Sequence, residues 1–201
     1  MNLRTLFQLE PQKIPIPAQF RKTENGALFS ACQVCERNLL EEGVPYMIEK
    51  AVRRYPQYQT EDVLFEYALC MTCYQDISGK ISQPSNARIQ AFIERRTRLG
   101  DRAFELLKTH SKDPAAWLQE CVVTGTPLTE TTEYTVCAQA LGDELILGVL
   151  PYGLSGAALD EMMALLSQET QDAFDDFRDD FLGGPPHVED FLDPKRRPVF
   201  I

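Results

Sequence analysis

The sequence predicts an α+β fold made of two hook, hairpin and helix units in tandem, and three observations carry that expectation. The chain has two close cysteine pairs, Cys32-Gln-Val-Cys35 and Cys70-Met-Thr-Cys73, with 34 residues between them. Directly before the second pair, Val63, Phe65, Tyr67 and Leu69 alternate with Leu64, Glu66 and Ala68, the period of a half-buried strand. Short segments of the front half then recur, in the same order, 81 to 89 residues further on.

Each Cys-x-x-Cys presents two sulfurs to one ion, so two pairs at this spacing close a tetrahedron. The expected site is one structural Zn²⁺ on Cys32, Cys35, Cys70 and Cys73. A redox Cys-x-x-Cys needs no second copy and would follow a buried strand in a βαβ pattern, which the sequence lacks. A cysteine hook, a hairpin, then a hook at a helix N-terminus resembles the treble-clef zinc fold over residues 29–80. That resemblance implies a metal site and no particular activity, since the fold serves ribosomal proteins, nucleases and ubiquitin-system modules. Its nucleases need histidines beside the clef, and this chain has only His110 and His187, neither of them within it.

Along the chain, Pro11, Pro15 and Pro17 mark residues 1–25 as an extended arm, in which Leu3, Leu6, Phe7 and Leu9 could form one apolar turn. The zinc-bound unit is assigned to residues 26–113. It comprises the first hook at Phe29–Cys35, a turn at Gly43-Val44-Pro45 and a strand marked by Tyr46, Ile48 and Val52. The strand ending at Cys70 follows, then a helix whose N-terminus favours the Cys73 thiolate. A long helix capped by Ser85 should come next, burying Ile89, Phe92, Ile93, Leu99, Ala103, Leu106 and Leu107. Arg88, Arg95, Arg98 and Arg102 share another face, either a surface for an acidic partner or a solvated face with Glu94–Arg98 and Arg102–Glu105 pairs.

Residues 114–192 read as a degenerate, metal-free repeat. Cys121 and Thr124 fall 89 residues after Cys32 and Cys35, Leu128 falls 89 after Leu39, and Tyr134 falls 88 after Tyr46. An offset of 81 lays Pro151 and Leu154 on Cys70 and Cys73, and an offset of 85 lays 166–177 on 81–92. Cys121 and Cys137 are then buried or half-buried thiols rather than ligands of a second metal, and Leu145, Ile146, Leu147, Val149 and Leu150 replace the metal with apolar packing. Ser155 caps an apolar helix, and Ser167 with Thr170 opens another that runs to the stop at Gly183-Gly184-Pro185-Pro186. Phe174, Phe177 and Phe181 mark the buried stripe of that helix. Asp172, Asp175, Asp176, Asp179 and Asp180 mark the opposite face, to be relieved by the arginine face, an external basic partner or counterions. Residues 193–201 form a basic and apolar tail.

The net charge of −10 is uneven: residues 1–113 carry 16 Lys+Arg against 14 Asp+Glu, and residues 114–201 carry 4 against 16. An acidic balance disfavours general nucleic-acid binding. The absence of a ~20-residue apolar run disfavours a membrane span. Six cysteines, four at metal spacing, fit a reducing, cytoplasmic setting. No phosphate loop or nucleophile–base arrangement stands out. The expectation is a non-enzymatic interaction or scaffold protein that binds another protein. The alternative is a nucleic-acid-binding protein using the first zinc unit and the arginine face.

Overall fold

The computed structural model describes residues 11–182. The apolar turn expected at Leu3–Leu9, the stop at Gly183–Pro186, His187 and the 193–201 tail lie outside the described residues. The fold is mixed α and β, with five α-helices and an antiparallel sheet.

The strands are β1 Gln12–Pro15, β2 Pro45–Tyr55, β3 Thr60–Cys70, β4 Glu133–Leu141, β5 Glu144–Leu147 and β6 Tyr152–Ser155. Sheet order is β1-β5-β4-β2-β3, and β6 also pairs with β4. β2 and β3 form the expected hairpin, in register from Tyr46↔Cys70 with a bulge between Ala51 and Val52. The arm contributes β1, which pairs with β5 of the back half from Gln12↔Leu147 to Pro15↔Glu144. Front and back halves share one sheet, because β2 lies antiparallel to β4 from Pro45↔Leu141 to Arg53↔Glu133. The last pair is reinforced by an Arg53 Nε–Glu133 Oε1 ion pair of 2.7 Å.

Side chains alternate across these central strands, and both faces are covered. Tyr46, Ile48, Ala138 and Ala140 are fully buried on the face that also meets Ile16, Phe20, Leu39 and Trp117 from the loops. The opposite face, with Tyr67, Leu69, Cys137 and Leu154, is roofed by helices.

Those helices are α1 Met71–Ser78, α2 Gln83–Arg96, α3 Leu99–Thr109, α4 Gly156–Met163 and α5 Gln168–Phe177. The single long helix expected after the second hook is two helices, α2 and α3. Thr97 breaks it: its N–H and its hydroxyl both donate to Ile93 O, at 2.9 and 2.8 Å, and its backbone is extended. A β-branched residue whose hydroxyl captures a helix carbonyl favours such an end. The cap of α2 is Ser82, not Ser85, its side chain accepting from Ser85 N–H. Ser85 is fully buried one turn inside.

The Ser82 cap meets the Ser167 cap of α5 in a reciprocal knot. Ser82 N–H donates to Thr170 Oγ1 at 3.0 Å, and Ser167 N–H donates to Ser85 Oγ at 2.8 Å. The two cap hydroxyls lie 3.0 Å apart. From this knot each helix reaches across to the other half. Phe177 of α5 meets Tyr67 edge-on at 5.6 Å, and Gln33 Nε2 donates to Phe181 O at 2.6 Å. In return Arg88 Nε of α2 donates to Leu165 O at 2.6 Å, and Arg96 pairs with Glu161 at 2.8 Å.

The arm is tied down by one buried charge pair. Lys50, 5% exposed, holds Glu66 at 2.8 Å and donates to Arg21 O. Glu66 also accepts from Thr23 N–H at 2.8 Å and from its hydroxyl at 2.7 Å. Burial pushes the Glu66 carboxyl up, but Lys50 and then Thr23 outweigh it and hold the pKa below the ordinary range. A depressed carboxylate stabilises the fold above its unfolded pKa of ~4.3, and that contribution is lost as pH falls through the folded value. Glu66→Gln leaves the Lys50 ammonium buried without its counter-charge and is expected to cost about 2–4 kcal/mol at pH 7. Denaturant melts at several pH values should show the gap between variant and wild type closing progressively below pH ~4.

Candidate metal centre

The first hook is a tight turn. Cys32 N–H donates to Arg37 O, Glu36 N–H to Cys32 O and Leu39 N–H to Ser30 O, each at 2.9 Å. Glu36 takes the left-handed conformation, φ 59°, that reverses the chain after Cys35. Gln33 N–H donates to Ala68 O at 2.9 Å and docks the turn on the end of β3. There the strand delivers Cys70 as the cap of α1 and Cys73 into its first turn.

The four sulfurs of Cys32, Cys35, Cys70 and Cys73 all lie within 4.8 Å of one another, and Cys35 Sγ is 3.8 Å from Cys70 Sγ. A tetrahedron with metal–sulfur bonds of ~2.3 Å has edges of about 3.8 Å, so the cluster is positioned to hold one metal ion. Cys32, Cys70 and Cys73 are buried and Cys35 is exposed, which leaves one ligand facing solvent.

The electrostatics suit a single thiolate without an ion and several with one. Burial opposes ionisation of Cys32, but the backbone N–H groups of Cys35, Cys70 and Val34 outweigh it and bring its pKa down to about 7. Burial and the neighbouring sulfurs push Cys73 up, and burial does the same to Cys70. One thiolate is welcome here and further ones are not, so four of them need a divalent ion to share.

The same hydrogen bonds recur 89 residues later. Cys121 N–H donates to Thr126 O, Gly125 N–H to Cys121 O and Leu128 N–H to Gln119 O. Gly125, at the place of Glu36, also has positive φ, 69°. Val122 N–H donates to Gly153 O, as Gln33 does to Ala68 O. Gly153 carries no Cβ where Leu128 packs; a side chain there would collide with it.

Cys121 and Thr124 thus hold the positions in this turn that Cys32 and Cys35 hold in the first. The second half of the comparison needs correcting. Pro151 and Leu154 do not take the places of Cys70 and Cys73; by hydrogen bonding these belong to Ser155, the cap of α4, and Ala158. Ser155 Oγ donates to Cys121 Sγ at 3.4 Å and lies 3.5 Å from Thr124 Oγ1. Burial opposes the Cys121 thiolate, but these groups outweigh it and lower the pKa. The offset of 81 arose because residues 148–151 interrupt the strand between β5 and β6. Tyr67/Tyr152, Leu69/Leu154 and Ser82/Ser167 all share an offset of 85, a signal in the sequence that would have located Ser155.

The arginines expected on one face are dispersed. Arg88 donates to Leu165 O, Arg95 Nε to Ala91 O of its own helix, and Arg98 Nε to Asp101 at 2.8 Å. Arg102 turns inward to the carbonyls of Pro151 and Trp117 and stacks on the Trp117 ring at 5.5 Å. The expected Glu94–Arg98 and Arg102–Glu105 pairs are replaced by these contacts. Asp172, Asp176 and Asp179 are exposed and Asp175 is half-buried. Arg178, overlooked in the sequence, sits among them, 3.0 Å from Asp175 and 2.8 Å from Asp179.

No protein-family model, curated protein or solved structure matches the chain. The metal centre is therefore judged on its geometry. Cys35→Ser, at the exposed ligand, is expected to lower metal content measured by elemental analysis while leaving the core packing intact. A strong chelator should lower the wild-type melting temperature by about 10 °C or more, with a smaller effect on the variant.

Proposed function

We propose that this chain is a non-enzymatic, zinc-stabilised interaction protein built from two treble-clef-like units in tandem. Zn²⁺ on Cys32, Cys35, Cys70 and Cys73 holds the first unit; hydrogen bonds among Cys121, Thr124 and Ser155 hold the second. What supports the tandem is the recurrence of the hook hydrogen bonds at one offset and of the capped helices at another. An all-thiolate donor set favours Zn²⁺ and leaves no open coordination position for a substrate, which suits a structural role.

The partner is a protein, met through the acidic face of α5. The observation that carries this reading is the exposure of Asp172 and Asp176 on α5, and of Asp179 in the turn that continues it, while Phe174 and Phe177 on the other face are buried. One arginine, Arg178, stands against that cluster, which leaves it a net negative field. Engagement of Arg88, Arg98 and Arg102 with groups of this chain weakens the case for nucleic acid.

Two experiments bear on this reading. Thr124→Cys, Ser155→Cys and Ala158→Cys together complete a second set of four thiols with Cys121. The triple variant is expected to bind a second equivalent of Zn²⁺, and a stoichiometry unchanged at one would remove the second clef. Asp172→Asn with Asp176→Asn should leave the melting temperature within a few degrees, because exposed carboxylates add little stability. The pair should also abolish binding of a basic protein partner that wild type retains at low salt and releases at high salt. A partner held equally by both proteins would sink the acidic face.

A further inference from the structure

The sheet face opposite the helices carries a second feature. Residues of two loop segments, 18–26 and 115–129, line a cleft of about 640 Å³ on that face. That is the size of a small-molecule pocket, and it is shaped like one, with an apolar interior and a few polar groups. Val52, Val63 and Val136 form the floor, and Leu118 and Leu128 one wall. A smaller cleft of about 280 Å³ adjoins it, sharing Arg54, Glu61 and Thr129.

The charged residues of the cleft are not equivalent. Lys50 is fully engaged by Glu66 and Arg21 O. Lys22 makes no side-chain hydrogen bond or ion pair with any described residue, although it lines the wall. Arg54 donates Nη1 to Thr129 O at 3.0 Å and lies over the Tyr134 ring at 5.2 Å. Its Nε is buried and makes no hydrogen bond; the Glu61 carboxylate oxygen stands 3.4 Å away, close enough for attraction but not bonded. Arg54 therefore brings its guanidinium to the cleft with Glu61 beside it, and Lys22 is the lining cation that no described residue engages.

We propose that this cleft binds a small organic acid, with an apolar body over Val52, Val63 and Val136 and a carboxylate held by Arg54 and Lys22. The charge complementarity is local: with Lys50 neutralised by Glu66, the cleft presents Lys22 and Arg54 against Glu61, on a chain whose net charge is −10. This site is separate from the metal centre and from the acidic helix. It requires no chemistry of the ligand, only its recognition.

Calorimetric titration of the metal-loaded protein with octanoate, 1-octanol and acetate tests it. Octanoate is expected to bind one per chain, octanol at least tenfold more weakly, and acetate not measurably. Lys22→Gln, at a half-exposed loop position, should weaken octanoate at least fivefold and leave octanol unchanged, with an unaltered melting curve. Arg54→Lys keeps the charge but removes the planar fork of N–H donors, and should weaken octanoate too. Equal affinity for octanoate and octanol, no saturable octanoate binding, or octanoate affinity untouched by both substitutions would each overturn the proposal.

Discussion

Pairing of β2 with β4 is the constraint from which the remaining architecture follows. Both strands come from the middle of their halves, and side by side they are buried on both faces. A central pair of this kind cannot be left half-wet, so one face takes helices and the other takes the arm and the two hooks. Glu49 stands opposite Cys137 near the centre of the pairing. About that point the halves exchange helices, α5 covering the front and α2 the back. Neither half retains a complete roof without the other, which is why the core is one cluster and not two.

The two hooks show how one backbone turn is stabilised by different means. In the first, four sulfurs converge and are positioned to hold one metal ion. In the second, a thiol, two hydroxyls and a methyl group occupy the same places, and the polar atoms satisfy one another. Serine for cysteine is a near-isosteric exchange that trades a metal bond for a hydrogen bond of about 1 kcal/mol. Leu128, Leu154 and Leu159 belong to the buried core of the same half.

Much of the site was legible in the sequence because metal ligation is a local, short-range code. Two cysteines at i and i+3, twice, give the centre directly, and the alternation before Cys70 gives the strand that carries it. The helix break at Thr97 was hidden, since its apolar stripe continues in phase across the break and only a side-chain hydrogen bond betrays it. The place of Ser155 was hidden by the irregular loop before it, which displaced the strand register. The arginine face failed for a third reason. Helical spacing groups side chains only while the helix is continuous, and once α2 and α3 diverge Arg102 finds carbonyls inside the fold. Pairing of β2 with β4, the contact that matters most, joins residues ~90 apart and leaves no local mark.

The left-handed residue of each hook carries a further implication. Glu36 and Gly125 share that conformation, but only glycine adopts it without steric cost, which for other residues is about 1–2 kcal/mol. The back half thus owns a turn that is ready-made, whereas the front half carries the same turn at a steric cost that a bound ion would help to offset. During synthesis the order of appearance is the reverse, front before back. If an ion closes the first hook, as proposed, the second hook and β4 need no ion to offer the edge on which β2 registers.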